Sequence, residues 1–171
     1  MPVLAAGARS RRKMTSLLLA FCWCSGLFCG IFAFLNWGIE NISWMRSAPY
    51  GAVSIVSLVE ITLIPFLISA LAVCFSMAWV IYPVCFCKAV LLSFVSMGVM
   101  QAFADAGWLM RWLLLFSDLL GAPLLYGFWL RHLPGKPVAT VWETGLCLAA
   151  ITLLGSVEMR IVSPFLASLL F

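Results

Sequence analysis

The chain has 171 residues, of which 65% are hydrophobic and only 9% charged, with a mean hydropathy of +1.14. A water-soluble domain carries roughly 25% charged residues, so this composition excludes an ordinary aqueous surface and leaves no polar segment long enough for a soluble catalytic domain. The net charge of +4 comes from basic residues beside apolar runs, which points to topology and lipid headgroups rather than to nucleic acid.

Within hydrocarbon, only helices and closed barrels satisfy every backbone polar group. A barrel alternates polarity over ~10-residue segments. The apolar runs here are long and unbroken, so the expected fold is all-α: a polytopic transmembrane helix bundle of about five spans, each needing about 20 residues. Residues 1–14 form a basic cytoplasmic N-terminus, and residues 15–171 form a single transmembrane domain.

The first span is expected over about 15–35, after Arg9-Ser10-Arg11-Arg12-Lys13. Its apolar run is too long for a secretory h-region, and no small-residue cleavage site follows, so it reads as an uncleaved span. Gly26-x-x-x-Gly30 within it has the spacing that lets two helix backbones approach closely. Asn36-Trp37-Gly38 ends the span, with Trp37 as an interfacial anchor. Residues 38–57 read as an outer loop carrying Glu40, Arg46 and an Asn41-Ile42-Ser43 sequon.

The second span is expected over about 61–81, with Glu60 at its entrance and Pro65 in its first turns. Tyr82-Pro83 is read as the break that separates it from a third span over about 84–103. Ala104-Asp105-Ala106-Gly107 is a turn. A fourth span over about 108–129 contains Asp118 and Pro123, and Pro123 predicts a kink. Arg131-His132-Leu133-Pro134-Gly135-Lys136-Pro137 is a loop. The fifth span is expected over about 141–157, followed by Glu158-Met159-Arg160. The 11-residue apolar tail is too short to cross alone, so it lies at the interface or extends a tilted fifth helix.

With the N-terminus inside, the inner side carries Arg9, Arg11, Arg12, Lys13, Lys88, Arg131 and Lys136, and the outer side Arg46, Arg111 and Arg160. Seven against three follows the positive-inside rule. Tryptophans 37, 44, 79, 108, 112, 129 and 142 fall near span ends or loops, as interfacial anchors do; Trp23 alone sits well inside a span.

Charges inside apolar segments are costly and face the protein interior. Lys88 lies one turn into the third span, where it snorkels to the surface or pairs with Asp118 of the fourth. The functional reading of that pair is an ion or proton path, and the structural reading is a fixed pair. One acid and one base do not make a relay, which favours the structural reading. Cys22-x-Cys24 and Cys85-x-Cys87 place their thiols on different helix faces, so they read as packing residues rather than metal ligands. His132 is the single histidine, and a catalytic triad would need an acid and a serine beside it. No metal, cofactor or catalytic set is expected, and the chain is not read as an enzyme.

In order along the chain, Pro83-x4-Lys88-Ala89, Ser93-Phe94, Gly98, Phe103-x3-Gly107-Trp108-Leu109, Leu113-Leu114-Leu115, Pro123-Leu124-Leu125 and Glu158-x3-Val162-Ser163-Pro164-Phe165-Leu166 resemble the stage II sporulation protein M-like integral membrane proteins. Gly26 and Gly30 fit the same pattern. Ala89 stands where the family pattern has glycine, and Asp118 where it is apolar or proline-containing. The resemblance implies a bacterial, multi-pass cell-membrane scaffold without catalytic residues. It implies partners among peptidoglycan-remodelling enzymes during engulfment, and structural or partner-contact roles for Lys88, Glu158 and Pro164. The alternative reading is a permease subunit or small transporter, resting on Glu60, Lys88, Asp118 and the prolines at 65, 83 and 123.

Overall fold

A computed structural model describes residues 2–38, 62–75, 77–102, 115–132 and 141–157, with isolated positions between 104 and 112 and between 160 and 165. All regular structure among the described residues is helical: α1 (Pro2–Ala33), α2 (Ile64–Cys74), α3 (Ile81–Ala102), α4 (Phe116–His132) and α5 (Val141–Val157). A wider helical turn, Phe34–Gly38, extends α1, and a tight turn, Ala78–Val80, leads into α3. Two stretches, Lys13–Gly38 and Ile81–Gln101, are long and apolar enough to cross a bilayer. At 1.5 Å per residue they measure about 39 and 31 Å, against a hydrocarbon core of about 30 Å.

The break before α3 is not where Tyr82-Pro83 suggests. The second apolar helix stops at Cys74, where the N–H of Phe75 reaches back to the Leu71 carbonyl (2.9 Å) and that of Met77 to the Ala72 carbonyl (2.7 Å). Tyr82 and Pro83 lie inside the first turn of α3. The nitrogen of Pro83 lacks a hydrogen, but the first four N–H groups of a helix have no intrahelical acceptor, so the proline costs nothing there. Pro65 likewise lies in the first turn of α2. With 11 residues, α2 is about 16 Å long, much shorter than the continuous helix expected over 61–81.

Helix directions follow from the contacts. The Cys85 thiol lies 3.7 Å from the Leu19 carbonyl, Gly26 faces Phe86 and Ala89, Gly30 faces Val90 and Ser93, and the Phe34 and Phe94 rings meet edge-on at 5.5 Å. Both numbers rise together, so α1 and α3 run parallel. In the same way Thr62 meets Gly121, Phe66 meets Phe128 and Ser69 meets Trp129, so α2 and α4 run parallel to each other. Thr62 at the start of α2 meets Lys88, while the end of α2 turns directly into α3; these two are antiparallel. Glu143 opens α5 beside Arg131 and His132, which close α4. Direction therefore alternates from each helix to the next.

The centre is a cluster of Leu19, Phe66, Ile81, Cys85, Leu125, Phe128, Trp129 and Ile151, drawn from all five helices. Lys88, Ser69 and Thr62 are buried, whereas Phe21, Phe28, Phe32 and Leu153 each expose about two-thirds or more of their surface. An exposed large apolar surface of this kind is costly in water. It suits a hydrocarbon surround.

Candidate functional site

Lys88 is the centre of the polar seam. It sits seven residues into α3, about 10 Å from the helix start, and is fully buried. Its ammonium donates to the Thr62 hydroxyl at 3.2 Å. Snorkelling is thereby replaced: α2 and α4 cover this depth, and the Thr62 oxygen offers the charge a partner inside the protein. Thr62 can come so close to α4 because Gly121 has no side chain; a Cβ there would lie 2.8 Å from the Thr62 methyl.

Ser69 lies two helical turns beyond Thr62 and on the same face of α2. Its hydroxyl donates to the Pro65 carbonyl at 2.6 Å and accepts the indole N–H of Trp129 at 2.8 Å. Trp129 is fully buried, with Trp23 edge-on at 6.2 Å, and Trp23 also meets Tyr126 at 5.8 Å. The interfacial role expected for Trp129 is therefore corrected. Its N–H finds an acceptor in Ser69 rather than in headgroup water, which lets the ring enter the core. Trp37, Trp79, Trp108, Trp112 and Trp142 are exposed.

A second cluster joins α4 to α5. The His132 ring packs on Phe128 at 4.5 Å, is buried, and brings Nε2 to 3.5 Å from Glu143. Arg131 reaches the other Glu143 oxygen at 3.7 Å from an exposed position. The sequence signal for Glu143 is an acid in the first turn of a helix that follows a basic helix end. Burial pushes the His132 imidazole below its usual value; Glu143 opposes that shift and Arg131 adds to it.

A histidine with a lowered folded-state value binds fewer protons folded than unfolded between that value and about 6.5. Its stabilising contribution is complete above that pH and is lost as pH falls through the folded-state value. The unfolding temperature of the wild type should therefore fall relative to that of His132→Gln as pH drops below about 6.5. Parallel curves for the two proteins would remove His132 as the cause.

Of the other singled-out residues, Gly26 and Gly30 are buried against α3, and Pro164 is exposed at an isolated described position. Asp118 belongs to α4, about one turn before Gly121, so its backbone stands near the depth of Thr62 and Lys88. Its side chain lies outside the described residues, as do Glu60 and Glu158, and so does the expected Lys88–Asp118 pair. Among the described residues no group of three or more His, Cys, Asp or Glu could hold a metal ion. The seam can carry fixed hydrogen bonds between helices; the described side chains that form it are held by one another. No protein-family model, curated protein or solved structure matches the chain.

Proposed function

We propose that this chain is a non-catalytic integral membrane scaffold of the stage II sporulation protein M type, crossing the cell membrane five times with its N-terminus in the cytoplasm. The observation that carries the topology is the alternation of helix direction from α1 to α5. The parallel packing of α1 and α3, with α2 running the opposite way, supports a chain that recrosses the bilayer between them. The apolar exterior and the exposed tryptophans at helix ends support a bilayer surround. The scaffold role rests on the residue resemblance, with cell-wall-remodelling enzymes as partners. The inward bonding of Lys88, Ser69 and Trp129 supports a rigid platform.

Two experiments test this reading. Affinity purification from sporulating cells should bring down peptidoglycan hydrolases, and complexes that never contain them would end the scaffold proposal. In a cysteine-less background, Gly135→Cys should be labelled from the cytoplasmic side only; labelling from outside intact cells would reverse the orientation. A permease reading keeps one specific support, the buried Lys88 at the depth where the short helix α2 begins. Under it Asp118→Asn abolishes transport, whereas under the scaffold reading it changes stability alone.

A further inference from the structure

Helix directions bring one end of four helices together. The Cys85 thiol meets the Leu19 carbonyl at 3.7 Å, which sets the start of the apolar part of α1 level with the start of α3. The Trp129 end of α4 packs among Leu19, Ile81 and Cys85, and the start of α5 is clasped to Arg131 and His132. At this end Lys13 is exposed, the Arg131 side chain keeps 74% of its surface, and Trp79 and Trp142 are 69% and 74% exposed.

Helix α1 also continues beyond this end. Pro2–Ala33 is one helix, so its residues before Lys13 project about 16 Å further. At 100° per residue, Arg9, Arg12 and Lys13 fall within about 100° of arc, and Arg11 falls opposite. The first acid of the chain is Glu40, so nothing negative on α1 offsets them. Tryptophan belongs at the headgroup level, and basic residues just beyond it meet lipid phosphates.

We infer that this end of the bundle is a binding surface for anionic phospholipid headgroups, with Arg9, Arg12 and Lys13 of α1 supplying the charge and Trp79 and Trp142 setting the depth. The inference rests on the membrane-spanning reading. It adds a lipid selectivity which that reading does not require, since apolar surface and tryptophan serve any phospholipid. The partner is a lipid rather than free phosphate because the basic arc continues directly from the apolar helix and shares its level with the exposed tryptophans.

The test uses the full chain in detergent, titrated with brominated-chain phosphatidylglycerol or phosphatidylcholine, with tryptophan quenching as the readout. Phosphatidylglycerol should bind more tightly, by about fivefold for each basic residue engaged, and high salt should remove the difference. Arg9→Gln/Arg12→Gln/Lys13→Gln should abolish most of the preference while leaving phosphatidylcholine quenching unchanged. The charge-preserving Arg9→Lys/Arg12→Lys/Lys13→Arg should keep it, as should Arg160→Gln in the separate C-terminal segment.

Equal quenching by the two lipids, or an unchanged preference in the glutamine variant, overturns the inference. Competition by inorganic phosphate at constant ionic strength overturns it in favour of a free-phosphate site. Carbonate washing of native membranes separates the two readings. A chain that stays in the pellet without lipid preference refutes this inference alone, and a chain that is extracted refutes the membrane reading.

Discussion

Gly30→Leu is expected to cost more than about 3 kcal/mol, above the usual range for overpacking, and to lower the yield of folded protein sharply. A Cβ at Gly30 would fall on the Ser93 hydroxyl and the Val90 carbonyl, and one at Gly26 would lie 2.6 Å from the Phe86 carbonyl and 2.7 Å from the Ala89 methyl. Two of these obstacles are backbone oxygens of α3, which cannot rotate away, so α1 and α3 must separate along their longest contact. Ser93 has already turned its hydroxyl to the Ala89 and Val90 carbonyls of its own helix, at 3.0 and 3.1 Å. Ser93→Ala should therefore rescue Gly30→Ala only in part, because the Val90 carbonyl remains. Gly127 is the control: nothing lies within 4 Å of its added Cβ, and Gly127→Ala should gain up to about 1 kcal/mol through helix propensity. Reversible unfolding in mixed micelles measures all four. Equal effects at positions 30 and 127 would mean that α1 and α3 do not pack through this face.

Trp129→Ala should be of similar size. The side chain is fully buried at the junction of α1, α2 and α4, and removing so large a group from a core costs about 3–5 kcal/mol. Trp129→Phe keeps most of the volume and loses the N–H bond to Ser69, for about 1–2 kcal/mol. Ser69→Ala strands the same indole N–H. The two single changes remove one bond, so the double variant should cost clearly less than their sum. Strict additivity in the same unfolding assay would show that the 2.8 Å contact contributes nothing.

These two sites differ in how far they could be read beforehand. The glycine spacing at 26 and 30 is visible in sequence because backbone approach depends on a local property, the absence of a Cβ at one helical period. The position of Trp129 near a span end is local too, and by itself it points to the interface. Its true environment depends on Ser69, 60 residues away, and no local pattern carries that pairing. Lys88 behaves likewise. Its charge inside an apolar run marks it as unusual, but whether it reaches for the surface or for Thr62 depends on α2 and α4 arriving at its depth.

Composition and the length of the apolar runs determined the helical class by themselves, since the backbone must satisfy its own hydrogen bonds wherever water is absent. The glycine spacing at 26 and 30 also determined where a close helix contact could form. Only the tertiary structure decided that the chain breaks after Cys74 rather than at Pro83, because a proline is equally at home before a helix or in its first turn. It alone decided that α1 and α3 run parallel, and which hydroxyls receive the buried ammonium and indole. Those outcomes depend on pairings between residues far apart in the chain, which helical periodicity does not encode.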